Sequence, residues 1–223
     1  MIAEDRVVIE YHPKITIPTK KVTQLIVNLM KETVPYFKNY LVSDNYTKSK
    51  LNEDDFTQIY IEQAQQVIRQ NNYPFNVNGQ YRDITYGSKG FSDFYFYPNE
   101  QNASTTSIFS VESKRLPAPA QTREKEYVIG DNNNGGIERY KTEKHGKSLA
   151  ECGLLAFVEK EDATHWYKEV NQWITNLSTT EDEWSTEEVL KSSESRDNYS
   201  LFHSVGLRKE KAIGLTHLWV NVN

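Results

Sequence analysis

The spacing of apolar residues changes along the chain, and each change of period predicts an element. From residue 53 to 70, Phe56, Ile59, Tyr60, Ala64, Val67 and Ile68 recur at intervals suited to one face of a helix. Asn52 supplies an N-cap, Glu53, Asp54 and Asp55 an acidic first turn, and Asn71-Asn72-Tyr73-Pro74 a stop. The period then shortens. Residues 93–97 and 107–114 are rich in aromatic and β-branched side chains, and the polar run 99–106 between them has turn composition, so a strand, a turn and a strand are expected. Residues 153–158 form an unbroken apolar run suited to a buried strand. Trp166, Val170, Trp173, Ile174 and Leu177 mark a helix over 163–177, and the stretches 199–207 and 212–222 flank a charged turn as a closing hairpin.

Shorter signals fill the gaps. Residues 7–11 and 15–17 read as short strands, and 19–31 as a helix that stops before Pro35. Residues 80–86 suit a first sheet strand closed by a turn over 87–90. Pro117 ends the strand that carries Lys114, since proline has no N–H to give a ladder. The Asn- and Gly-rich stretch up to Gly136 reads as a mobile loop, 137–141 as a short helix, and 178–188 as an acidic surface segment. Residues 1–50 are an N-terminal extension packed on the core, whose role as a cap, a dimer surface or a DNA-contacting arm stays open, and 51–223 form the main domain.

The hairpin carries the chemistry. Pairing that is symmetric about its turn sets Asp93 opposite Glu112, Phe94 opposite Val111 and Phe96 opposite Phe109. Side chains alternate across a strand, so Phe94, Phe96, Phe109 and Val111 face the core, while Asp93, Tyr95, Glu112 and Lys114 share a solvated face. Opposed Cβ atoms lie roughly 4.5–5.5 Å apart, near enough for two carboxylates to hold one cation. An exposed cross-strand salt bridge is the plainer alternative, but two acids and one lysine make a poor ion pair and a good cation cradle.

Composition narrows the setting. One cysteine, Cys152, excludes an intramolecular disulfide framework and a zinc–thiolate cage, and reads as a small buried apolar residue. No apolar run reaches the ~20 residues of a membrane span, and the N-terminus lacks a basic, then apolar, leader, so a cytoplasmic protein with no membrane partner is expected. The net charge of −5 argues against a generic phosphate-binding coat. The charge is uneven, however: residues 159–197 hold eleven acids against four Lys/Arg, whereas 111–147 hold six against eight. The five histidines show no metal-ligand spacing and read as surface or packed residues.

An acid on one strand and acid-x-Lys on the next resembles the PD-(D/E)xK nuclease superfamily, here at Ser92-Asp93 and Glu112-Ser113-Lys114. Ser92 stands where that pattern often has proline. Glu112-Ser113-Lys114 is the only acid-x-Lys triplet in the chain. Residues 53–158, with the segments REKEYV, GGIERY and KHG, further resemble uncharacterised bacterial nuclease-fold proteins, some linked to anti-phage defence.

The resemblance implies an α/β (α+β) fold with a restriction-endonuclease-like αβββαβ core, a mixed central sheet flanked by helices, and additions at both ends. It implies Mg²⁺ or Mn²⁺ held by Asp93, Glu112 and the backbone carbonyl of Ser113, with Lys114 orienting water or neutralising charge on the phosphate. Glu53 lies on the apolar line of its helix and is the candidate accessory acid, although a first-turn acid that satisfies the helix dipole is the plainer and favoured reading. Glu138 and Arg139 are candidates to support the metal or touch a phosphate, or else occupy a solvated helix face. Arg115, Arg123, Lys125, Lys141 and Lys144 are the candidate nucleic-acid contacts, with DNA favoured. The expected function is a metal-dependent DNA endonuclease of bacterial defence, as a possible homodimer or with a partner protein. The alternative is a silent nuclease-fold module that binds or assembles within a defence complex.

Overall fold

The computed structural model describes residues 19–43, 50–82, 90–100 and 104–223. Helices α1 (Thr19–Ser43) and α2 (Glu53–Asn71) precede strands β1 (Phe75–Tyr81), β2 (Ser92–Pro98) and β3 (Phe109–Leu116). Helix α3 (Gly136–Lys141) then leads to β4 (Glu151–Val158) and α4 (Ala163–Thr180), and the chain closes with β5 (Lys191–Ser195), β6 (Tyr199–Gly206) and β7 (Ile213–Asn221). The seven strands form one mixed sheet in the order β1-β2-β3-β4-β7-β6-β5. Strands β3, β4 and β7 run parallel through its centre, and both wings are antiparallel.

The expected hairpin register is the observed one: Phe94 pairs with Val111, Tyr95 with Ser110 and Phe96 with Phe109. Helix α2 begins as expected, with a capping box in which Asn52 and Asp55 exchange side-chain to backbone hydrogen bonds. Asn72 takes a left-handed conformation at its end. Strand β1 starts directly after Pro74, five residues before the expected position, and residues 83–89 lie outside the described set. The expected strands at 7–11 and 15–17 also lie outside it.

Helix α1 does not stop at Pro35 but runs through it. An interior proline costs ~3 kcal/mol. Its apolar stripe, Ile26, Leu29, Met30, Val34, Phe37 and Leu41, continues past the proline and is fully or nearly fully buried. At roughly 1.5–3 kcal/mol per buried large side chain, that stripe outweighs the loss. Tyr60 of α2 donates a hydrogen bond to the Met30 carbonyl at 2.6 Å, locking the two helices together.

The sheet separates two hydrophobic cores. On one face α1 and α2 pack over Phe94, Phe96, Phe109, Val111, Leu155 and Phe157. On the other, Tyr127, Ile137 and Tyr140 join Trp166, Val170, Trp173 and Ile174 of α4 over Cys152, Leu154, Ala156, Leu215 and Trp219. Leu116 belongs to this second face, and so, by strand alternation, do Glu112 and Lys114. The connection 122–136 is anchored on this face by the buried Tyr127, Val128, Gly135 and Gly136, while the Asn-rich turn over 131–134 stays exposed. Tyr127 is buried, with its hydroxyl between His217 Nδ1 at 2.7 Å and Trp219 Nε1 at 2.8 Å. The expected acidic surface segment is likewise partly interior, since Trp184 and Glu188 are buried. Among the described residues no helix is long and apolar enough to cross a membrane.

Candidate active site beneath the α3 layer

Three elements bring the acids together. The capping box makes Glu53 the first residue of α2 and aims it at the end of β3. Its Oε1 lies 3.2 Å from Lys114 Nζ, and its Oε2 accepts the Arg115 backbone N–H at 3.1 Å. Asp93 stands one residue beyond the paired part of β2 and accepts the Ser113 N–H through Oδ2 at 2.6 Å. Glu112 and Lys114, two apart on β3, point the same way, and Lys114 Nζ reaches Glu112 Oε1 at 3.0 Å and the Ser113 carbonyl at 2.7 Å.

The face that carries them is not the solvated one expected. Glu112 is fully buried and Lys114 nearly so, because α3 and the chain on either side of it cover this end of β3. The α3 layer also delivers two further groups to Glu112. Arg139 Nη1 pairs with Oε1, and His145 Nδ1 lies 3.1 Å from Oε2. That last pair lacks hydrogen-bond geometry, and neither atom has another partner among the described residues. His145 is set by close packing: a Cβ on Gly90 would come within 2.5 Å of its Nε2, and Gly146, at φ +59°, turns the chain immediately after it.

Burial and like charge shape the electrostatics. Burial first, and the Glu112 charge second, push the Asp93 carboxyl up to about 7, against the pull of Lys114. Burial alone would raise Glu112 too, but Lys114, His145 and Arg139 hold it down at about 2. Glu53 is raised by burial against Lys114. Lys114 is raised despite its burial, because Glu112, Glu53 and Asp93 surround it. Three carboxylates thus share Lys114 and Arg139, and Glu112 Oε2 has no hydrogen-bond donor.

The other expected site residues divide. Glu138 does not reach the acids: its Oε2 accepts the N–H groups of Gly130 and Gly135, each at 3.1 Å, and closes the turn before α3. One step of helix phase sends Glu138 to that turn and Arg139 to Glu112. Lys141 is not a nucleic-acid contact, being buried against Glu188, the Glu183 carbonyl at 3.0 Å and the Trp184 ring at 4.4 Å. Arg115 is engaged by both carboxylate oxygens of Glu159. Lys144 bonds to the Asn132 carbonyl and the Asn134 side chain. Arg123, paired with Glu126, and Lys125 line a cleft of about 680 Å³ that Arg139 closes on the site side. The Ser113 carbonyl is taken by the Lys114 ammonium.

His145 is the site residue that sequence reasoning missed. Nothing in its spacing to the other histidines marks it, and only the turn after α3 brings it to Glu112. The remaining chemistry is structural. His217 is buried between Tyr127 and Ser204 and burial pushes it down to about 3, while burial pushes the Cys152 thiol up to about 12. Among the described residues no three His, Cys, Asp or Glu side chains form a metal cage. Comparisons with protein-family models, curated proteins and solved structures each return no match. What the site can do is read from its own geometry.

Proposed function

We propose that the protein is a metal-dependent phosphodiesterase of PD-(D/E)xK type acting on nucleic acid. The observation that carries the reading is the convergence of Glu112 and Glu53 on Lys114, with Asp93 on the adjoining Ser113 N–H, under burial that leaves Asp93 and Glu112 in mutual repulsion. The order α2-β1-β2-β3-α3-β4, with antiparallel β1–β2–β3 and β4 parallel to β3, supports the αβββαβ core.

The donor set fits Mg²⁺ or Mn²⁺. Mg²⁺ is commonly held by one or two carboxylates, with water and substrate phosphate filling the other positions, so no three-residue cage is needed. Asp93 and Glu112 would hold the ion, Glu112 through Oε2, which faces His145 Nδ1 at 3.1 Å without a hydrogen bond, and the charge it brings offsets their repulsion. The ion supplies Lewis-acid stabilisation of charge on the phosphate and an activated water. Lys114 places its ammonium among the acids, where it neutralises charge developing on the transferring phosphoryl group. Glu53 acts as a positioning residue, holding both Lys114 and the backbone at Arg115. Arg139 stands between Glu112 and the cleft and orients a phosphate oxygen there.

A specific observation favours the binding-module alternative: Glu112 Oε1 already carries Lys114 and Arg139, and the Ser113 carbonyl carries Lys114, as in a closed structural network. One panel separates the two readings. Purified protein is incubated with plasmid, linear and single-stranded DNA and with RNA, in Mg²⁺ and in Mn²⁺, beside Asp93→Ala. Cleavage by the wild type alone supports hydrolysis; identical behaviour of both proteins with both ions overturns it.

A further inference from the structure

On β2 the side chains that alternate with the buried Phe94 and Phe96 are Asp93, Tyr95 and Tyr97, so the row that begins at the acid continues as tyrosines. Tyr81, at the end of β1, joins them. Its ring centroid lies 4.5 Å from that of Tyr95 with planes inclined 32°, and Tyr95 and Tyr97 are 5.3 Å apart at 31°. All three rings are partly exposed, and none belongs to either hydrophobic core. On the far side of Asp93, Phe91 has the same parity along the chain and is 54% exposed, with the Arg82 guanidinium 5.8 Å above its ring. Aromatic rings therefore flank Asp93 in both directions along one segment.

The division of ring types is informative. Every aromatic on the covered face of β2 is Phe and both on the other face are Tyr, which keeps a π-face for stacking and a hydroxyl for a polar partner. An unpaired nucleobase offers both faces to such rings, and its phosphate accepts from hydroxyl and guanidinium donors. A base-paired duplex hides its base faces inside the stack and presents phosphate outward, where three clustered tyrosines gain little.

We propose that Tyr81, Tyr95 and Tyr97, with Phe91, form a stacking surface for unpaired nucleobases, so that the substrate is a single strand or a locally unpaired segment led along β2 past Asp93. This deepens the phosphodiesterase reading and rests on it for the word substrate, but the binding surface is testable alone. The experiment is fluorescence anisotropy of the full chain in EDTA with labelled oligo(dT) and oligo(rU) of about 12 nucleotides, within the usual single-strand site sizes. A duplex of equal length serves as comparison. Whichever single strand binds tighter reports DNA or RNA. The expected result is at least about tenfold preference for a single strand over duplex, and a loss of about tenfold or more in the Tyr95→Leu/Tyr97→Leu variant with binding kept by Tyr95→Phe/Tyr97→Phe.

Equal affinity for duplex and single strand, or a leucine variant that folds and binds like wild type, overturns the proposal. Should the leucine variant not fold, photocrosslinking of bromouracil-substituted oligo(dT) to the wild type decides: crosslinks within 81–97 support the surface, and crosslinks only elsewhere overturn it. Tyrosine-dependent single-strand binding without cleavage of any substrate leaves the surface standing and removes the hydrolytic reading. Metal-dependent cleavage of duplex by a protein with no single-strand preference does the reverse.

Discussion

Two buried ion clusters lie under the same covering layer, and they are built differently. In the first, Lys141 and Glu188 form a closed pair: Glu188 Oε1 takes the ammonium and the Leu207 N–H, Oε2 takes the Ser185 N–H, and Lys141 also meets the Glu183 carbonyl and the Trp184 ring. One positive charge answers one negative charge, and each carboxylate oxygen has a donor. In the second, three carboxylates answer Lys114 and Arg139, Asp93 is pushed up to about 7, and Glu112 Oε2 meets only His145 Nδ1, at 3.1 Å and outside hydrogen-bond geometry. Satisfied buried charge holds a fold together, whereas unbalanced buried charge leaves room for a further cation. The difference marks one cluster as scaffold and the other as the candidate site without reference to any relative.

The comparison is broken most directly by substitutions of opposite expected sign. Asp93→Asn should reduce metal-dependent cleavage by about 1,000-fold or more, as expected when a group that positions the charge-stabilising ion is lost, measured by plasmid or oligonucleotide turnover. Lys141→Ala leaves the Glu188 charge buried without its cation and should destabilise the fold by about 3–5 kcal/mol, read from denaturant unfolding. If Lys141→Ala were tolerated and Asp93→Asn unfolded the protein, the two clusters would have been assigned the wrong way round.

A third test uses pH. The native Asp93 carboxyl binds its proton near pH 7, against an ordinary value of 3.8 in the unfolded chain. Between those values the native state holds the extra proton, so this group's contribution to stability falls as pH rises from about 4 to about 7 and levels off above. Asp93→Asn should therefore be as stable as wild type near pH 4 and more stable near pH 8, with the gap in Tm opening across that window. Added Mg²⁺ should raise the Tm of wild type and leave Asp93→Asn unmoved. The smallest effect concerns Glu53: Glu53→Gln loses the charge and keeps only one of the two hydrogen bonds, because its amide nitrogen cannot accept from the Lys114 ammonium or the Arg115 N–H, and should lower turnover about tenfold with a small fall in Tm.

The hairpin shows how much of the site local pattern encodes. Alternation of Phe94 and Phe96 with Asp93 and Tyr95, and of Phe109 and Val111 with Glu112, specifies which side chains share a face, and a one-residue slip would bury the acids in the aromatic core. The register was therefore legible, as was the start of α2 and with it the direction of Glu53. Helix α3 was legible as a helix but not in its phase. Three neighbouring charged residues, Glu138, Arg139 and Lys141, meet a turn, the acid cluster and a second ion pair, with partners up to 47 positions away.

The chain's own periodicity determined most of the elements, though not β5, the start of β1 or the length of α1, together with the pairing of β2 with β3 and the placement of Asp93, Glu112 and Lys114 on one side of the sheet, because those depend on two- and 3.6-residue repeats that act within a few positions. Only tertiary packing decided that this side is roofed, that His145 and Arg139 meet Glu112, and that Lys141 is structural. A covering layer is chosen by the fit of whole elements against the sheet, and that fit has no local period in the sequence.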